Sequence, residues 1–84
     1  MIKIYTIPNC PYCNELKDIL TNEGVEYKEI DVNLPENEEE WNKLHEVTKS
    51  DMVPIVLVEK QILVPNVSFK TIRECADITK KFLG

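Results

Sequence analysis

The chain has 84 residues, 43% hydrophobic and 30% charged, with a formal net charge of −5. That is enough for a single domain over residues 1–84 and too little for two, and the mixture is that of an ordinary globular chain. An acidic chain without a basic stripe is a poor candidate for binding nucleic acid or an anionic membrane surface.

No window approaches the ~18 apolar residues of a membrane span. The opening "MIKIYTIP" carries neither a secretory signal nor a lipidation motif. A cytoplasmic location is therefore expected. The acids cluster: residues 31–51 hold Asp31, Glu36, Glu38, Glu39, Glu40, Glu46 and Asp51 against Lys43 and Lys49, a local net charge of −5. The run Glu38-Glu39-Glu40 suits the positive end of a helix.

In chain order, "IKIYTI" is β-branched and aromatic, is stopped by Pro8-Asn9, and predicts a strand. From Pro11 the spacing of Cys13, Leu16, Ile19 and Leu20 predicts a helix, closed by Gly24. Residues 26–32, "EYKEIDV", predict a second strand. A second helix is expected from near Glu36, with Trp41, Leu44 and Val47 or Thr48 on one face. After the loop "SDMVP", the apolar run "IVLV" (55–58) predicts a buried strand. "EKQ" turns the chain into a short strand "ILV", ended by Pro65-Asn66. Ser68 is expected to cap a last helix with apolar positions Phe69, Ile72, Cys75, Ala76, Thr79, Phe82 and Leu83 and with Lys80 and Lys81 at its end. The order βαβαββα gives a parallel pair through a right-handed crossover and a closing antiparallel hairpin. The expected class is α/β, a four-stranded mixed sheet flanked by three helices.

"NCPYC" places two cysteines three apart at the junction of strand and helix. Cys10 falls at the N-cap and Pro11 at the first helical position, where its missing N–H costs nothing. The amides that follow donate toward the cap side chain, and with the positive helix end they favour negative charge on that sulfur. Cys13 lies one turn in, on the face of Leu16 and Leu20. One sulfur is thus expected to be exposed and nucleophilic and the other shielded, the asymmetry that thiol–disulfide exchange needs.

Two other readings carry less. A zinc site of Cys10, Cys13, His45 and Cys75 has spacings unlike a zinc ribbon, so no metal is expected. A structural Cys10–Cys13 bridge closes too short a loop to remove much unfolded-state entropy. His45 reads as a surface residue of the second helix, and Cys75 as a small buried apolar one. Three cysteines, an odd number, also argue against a disulfide-stapled secreted scaffold.

"CPYC" at the first helix resembles the dithiol glutaredoxin active site, and "MVP" (52–54) resembles that family's Thr-Val-Pro loop. The likeness extends over the element order, the spacing between motifs and the length. It implies a thioredoxin-like fold with a cis peptide bond before Pro54 and a Val53 backbone offered to a bound peptide like an added strand. It implies Cys10 as nucleophile and Cys13 as resolving thiol, with Tyr12, Val53 and Pro54 lining a glutathione groove. Glutathione would serve as co-substrate.

Three positions depart from the family: Ile7 and Trp41 stand where polar or basic contacts are common, and Val64-Pro65 replaces a Gly-Gly pair. Free amides near Val67 and Ser68, at the start of the last helix, are expected to replace those contacts as an anion site, with Lys70 adding positive charge.

The function that follows is a glutathione-dependent oxidoreductase, a monomer, reducing protein disulfides and protein–glutathione mixed disulfides, with ribonucleotide reductase as one plausible client. A thioredoxin-like donor recharged by a reductase is the near alternative. A non-catalytic thioredoxin-fold module or an iron–sulfur carrier is the distant one.

Overall fold

A computed structural model describes residues 2–83, so Met1 and Gly84, the ends of the expected 1–84 domain, lie outside the described residues. The elements are β1 (Ile2–Thr6), α1 (Pro11–Asn22), β2 (Lys28–Asp31), a 3₁₀ turn (Pro35–Asn37), α2 (Glu38–Thr48), β3 (Ile55–Val58), β4 (Gln61–Leu63) and α3 (Ile72–Leu83). The strands form one mixed sheet in the order β2-β1-β3-β4. β1 runs parallel to β2 and antiparallel to β3, and β3 and β4 form the antiparallel hairpin. This is the α/β architecture expected from the sequence, a four-stranded sheet with three helices.

Side chains alternate across a strand, so β1 faces two ways. Ile2 and Ile4 pair with Val58 and Val56 and join Leu16 and Leu20 of α1 and Ile72, Cys75 and Ala76 of α3 in the larger core. Tyr5 lies on the opposite face with Ile30, Leu44 and Ile55, against which Trp41 packs. α1 and α3 therefore cover one face and α2 the other. No helix among the described residues is long and apolar enough to cross a membrane.

The periodicities locate the elements well and err at their ends. Strand β2 is shorter than residues 26–32, β4 spans Gln61–Leu63 rather than "ILV", and the expected start near Glu36 is the 3₁₀ turn that leads into α2. Of the two candidates on α2, Val47 is 72% exposed and Thr48 is half-buried, so Thr48 continues the inner face. Phe82 and Leu83 are not core residues: both are exposed at the end of α3.

The largest correction concerns Ser68, which does not cap α3. Its hydroxyl accepts the Val64 N–H at 3.1 Å within the preceding loop, and the helix begins at Ile72. Thr71 takes the capping role, its Oγ1 accepting the Glu74 N–H at 3.1 Å while Glu74 Oε1 accepts the Lys70 N–H at 2.7 Å. Thr71-Ile72-Arg73-Glu74 is the Thr-x-x-Glu signature of a capping box, here reaching one residue further back.

Leu44 is the one buried residue of α2, so polar contacts matter to its docking. Tyr5 Oη donates to Glu40 Oε2 at 2.5 Å, and Lys3 Nζ stands 3.5 Å from the same oxygen. The Tyr5 hydroxyl and then the Lys3 charge hold the Glu40 carboxyl below its usual range, against a smaller opposing effect of burial. The Tyr5 phenol is raised, by burial first and then by Glu40.

Because the carboxyl is lowered in the folded state, the contribution of Glu40 is complete above the unfolded value of ~4.3 and is lost as pH falls through the folded one. Its side chain is 39% exposed, which discounts the interaction for solvent screening to about 0.5–1 kcal/mol. Glu40→Gln should therefore lower stability by about that amount in urea unfolding at pH 7 and by nothing measurable at pH 3. A difference that persists at pH 3 would show that the loss is packing rather than charge.

Candidate active site

Pro8 and Asn9 end β1, and Asn9 adopts φ of 60°, a left-handed conformation that asparagine tolerates better than most residues. The chain then enters α1 through Cys10, whose extended backbone and side chain form the N-cap. Cys10 Sγ accepts the Cys13 N–H at 3.2 Å, and the Cys10 carbonyl accepts the Asn14 N–H at 3.0 Å. Cys10 is the cap read from the sequence, with Pro11 at the first helical position, but of the two amides expected to reach its sulfur, those of Tyr12 and Cys13, the Cys13 amide alone does so.

The degree of exposure is not. Cys10 is only 7% exposed and Cys13 1%, so the nucleophile candidate is a largely covered sulfur. The asymmetry survives as rank and chemistry. Burial and then the hydrogen bond shared with Cys10 push the Cys13 thiol up, with Lys17 acting weakly in the opposite direction.

Beside the cysteine turn lies a groove of about 470 Å³ lined by Tyr12, Met52, Val53, Pro54, Phe69 and Lys70, among others. The Val53–Pro54 peptide bond is cis. Tyr12 is 64% exposed and Met52 50%, so the groove has an apolar rim. Asn66 Nδ2, also in the groove lining, lies 3.5 Å from Met52 Sδ. A larger concavity of about 690 Å³ sits at the other end of β1, between Ile2, Tyr27 and Leu83. Neither concavity is lined by a cysteine; the smaller one is the candidate because Tyr12, which stands between Cys10 and Cys13, lines it, and nothing of the cysteine turn lines the larger one.

The structure brings Cys10, Cys13, Tyr12, Val53, Pro54 and Lys70 to one end of the molecule. It does not supply the free amides expected at Val67 and Ser68. Both N–H groups donate to the Val64 carbonyl, at 3.1 and 2.8 Å, and neither residue lines the groove. The amide of Lys70, two residues after Ser68, is taken by Glu74. Lys70 also precedes α3 rather than standing within its first turn. Its ammonium forms no ion pair among the described residues, whereas Arg73 is held by Glu23 and Asp77.

The departures at Ile7 and Trp41 resolve differently. Ile7 is 38% exposed next to the cysteine turn, while Trp41 turns inward against Tyr5, ring centroids 6.3 Å apart. Met52, the first residue of "MVP", also lines the groove, together with Asn66 and Arg73, to which no local sequence signal points.

His45 and Cys75 stand apart from the cysteine pair. His45 Nδ1 lies 3.1 Å from the Ser50 carbonyl and 2.9 Å from Asp51 Oδ1. Two acceptors on one ring nitrogen require it to carry a proton. Cys75 is fully buried in the α3 seam, and its thiol is pushed up to about 12 by that burial.

Comparison with known proteins gives consistent matches. The family model described as Glutaredoxin matches residues 2–63. An uncharacterized glutaredoxin-like 8.6 kDa protein in the rubredoxin operon of Clostridium pasteurianum is 31% identical over 64 residues, 76% of this chain and 83% of that one. Among solved structures, the glutaredoxin-like NrdH-redoxin from Escherichia coli, described as having a thioredoxin-like activity profile, superposes with a TM-score of 0.66 at 20% identity, over 95% of this chain and 91% of that one. A buckwheat glutaredoxin–glutathione complex superposes with a TM-score of 0.74 at 18% identity, over 98% of this chain and 74% of that one.

A raised Cys13 thiol has a direct readout. In a Cys10→Ser background, alkylation of Cys13 by iodoacetamide should keep accelerating with pH beyond about pH 10, where a free cysteine, half-ionised near 8.5, has levelled off. A midpoint near about 8.5 would show that Cys13 is solvated. Cys75 should react only after denaturant is added.

Proposed function

Because the chain belongs to the glutaredoxin family, we propose that it is a glutathione-dependent thiol–disulfide oxidoreductase in which Cys10 is the nucleophile and Cys13 the resolving thiol. The observation that carries the reading is Cys10 Sγ at the α1 N-cap with Cys13 one turn deeper, beside the Val53–Pro54 groove. Helix-terminal amides stabilise charge developing on the cap sulfur.

In the monothiol route, the Cys10 thiolate attacks the glutathione sulfur of a protein–glutathione mixed disulfide. A Cys10–glutathione disulfide forms and the client departs as a thiolate, which takes up a proton. A free glutathione thiolate then attacks the glutathione sulfur on Cys10, releasing glutathione disulfide and restoring Cys10. In the dithiol route, Cys10 attacks a protein disulfide, forming a mixed disulfide and releasing one client thiolate. Cys13 loses its proton and attacks Cys10 Sγ, giving the Cys10–Cys13 disulfide and a second client thiolate. The proton lost by Cys13 is matched by the one the client gains. Two glutathione molecules then return the pair to dithiols as they become glutathione disulfide. Cys10→Ser should abolish both routes, and Cys13→Ser should keep the first and lose the second. Equal loss of glutathione-mixed-disulfide turnover in both variants would exclude the monothiol route.

The tripeptide's carboxylates require positive charge, and Lys70 is the groove cation without an ion pair among the described residues. An exposed cation of this kind binds ground and transition states alike. Lys70→Ala should therefore raise KM for a glutathionylated substrate a few-fold with kcat nearly constant, and the difference should shrink as salt rises. Lys80→Ala, at the far end of α3, should leave KM unchanged. A KM equal to wild type for Lys70→Ala at low salt would remove Lys70 from the site.

One observation favours a second reading, a thioredoxin-like donor recharged by a reductase. The amides of Val67, Ser68 and Lys70 are already bonded within the chain, so they are not available to a glutathione carboxylate. Steady-state reduction of a small mixed disulfide, with glutathione or NADPH and a thioredoxin reductase supplied in turn, separates the two. Turnover with the reductase alone would replace the glutathione reading.

A further inference from the structure

Behind the buried thiol lies a charged cluster that the exchange chemistry above does not use. Lys17 follows Cys13 by four residues on α1, so the two side chains share a helix face. Lys17 Nζ donates to Glu29 Oε2 of β2 at 2.8 Å. Thr6, 1% exposed at the end of β1, donates its hydroxyl to the same oxygen at 2.9 Å. The register accounts for the meeting: Ile4 pairs with Glu29 and Thr6 with Asp31, so Glu29 projects on the α1 side of the sheet.

The side chain of Lys17 is 23% exposed, its stem partly covered, and its ammonium is anchored at the surface by a carboxylate held between two strands. Glu29 raises the lysine, and Lys17 in turn is the first cause lowering the Glu29 carboxyl, so both partners stay charged. Burial dominates at Cys13 and works against its thiolate; a backbone hydrogen bond from Ile7 works for it, and the Lys17 charge adds a smaller effect in the same direction.

We propose that Lys17, fixed by Glu29 and Thr6, is a positioning residue for the resolving step, supplying the positive charge that supports the Cys13 sulfur as it attacks the Cys10 mixed disulfide. The inference rests on the exchange reading above and adds a residue to it. Lys17 forms and breaks no covalent bond. The Cys13 proton leaves, a Cys13–Cys10 S–S bond forms, the bond from Cys10 to the client sulfur breaks, and the client thiolate carries the electron pair away.

A weak, ion-paired opposite charge shifts a thiol by about half a unit, which is about a threefold change in thiolate population. Thiolate nucleophilicity changes the other way with a Brønsted slope of about 0.4–0.5, so the net effect on rate is about twofold.

The test uses the reduced full chain and excess dithiobis-nitrobenzoate at fixed pH. Cys10 attack releases one coloured thiolate and leaves an aryl disulfide on Cys10, and Cys13 attack releases the second. Lys17→Met should lower the ratio of second- to first-phase rate about twofold, and Lys17→Arg, which keeps the charge, should restore most of it. An unchanged ratio in Lys17→Met overturns the proposal. Slowing of both phases in proportion does so too, because it marks a general structural effect, as does a Lys17→Arg variant that matches Lys17→Met. A wild-type chain with no Cys10-dependent first phase would instead remove the exchange reading itself. As a second measure, Cys13 alkylation in a Cys10→Ser background should slow with Lys17→Met, and equal rates would count against it.

Discussion

The hydrogen bond from the Cys13 amide to Cys10 Sγ, 3.2 Å long, joins the start of α1 to the chemistry of the site. A helix begins with amides that have no partner within the helix, and here a sulfur takes one of them. The cap places the two sulfurs in a fixed relation, one at the helix end and one a turn deeper. It depends on the extended backbone of Cys10 and on a proline at the next position, where no amide is wanted. Strand β1 sets where that helix end lies, since Asn9 turns the chain directly from the sheet into the cap.

The sheet does the rest of the positioning. β1 is central, paired on one side with β2 and on the other with β3. Its even-numbered residues build the core beneath α1 and α3, and Tyr5 builds the one beneath α2. β3 follows Pro54 directly, which anchors the Val53–Pro54 segment to the same sheet that carries the cysteine turn. Groove and cysteines are therefore fixed by one rigid element rather than by a loop alone. Glu29 is brought beneath α1 by the same parallel register.

The polar groups around the groove show how competition among partners shapes a binding surface. Ser68, Thr71 and Glu74 all satisfy backbone amides of their own chain. Each such bond satisfies an amide within the chain, and each removes a donor that a ligand could have used. What the groove retains is an apolar rim, with Tyr12 and Met52 exposed, and a lysine ammonium. A ligand there gains more from apolar contact and net charge than from a cradle of amides.

The sequence by itself determined the features carried by neighbours in the chain. Cys10-Pro11 wrote the cap, the spacing of Cys13, Leu16 and Leu20 wrote the inner face of α1, and "IVLV" gave β3 with its limits intact, because cap chemistry and side-chain periodicity are local. Thr71-x-x-Glu74 is an equally local signal that competes with Ser68, and only the folded loop shows the Ser68 hydroxyl to be engaged by Val64.

Tertiary structure alone decided what depends on partners distant in sequence. It covered Cys10 to 7% exposure, left Phe82 and Leu83 outside the core, and turned Trp41 toward Tyr5. It also brought Thr6, Lys17 and Glu29 to one carboxylate oxygen from three elements. Burial and long-range hydrogen bonds are settled by which surfaces meet when the sheet closes, and no window along the chain contains both halves of such a contact.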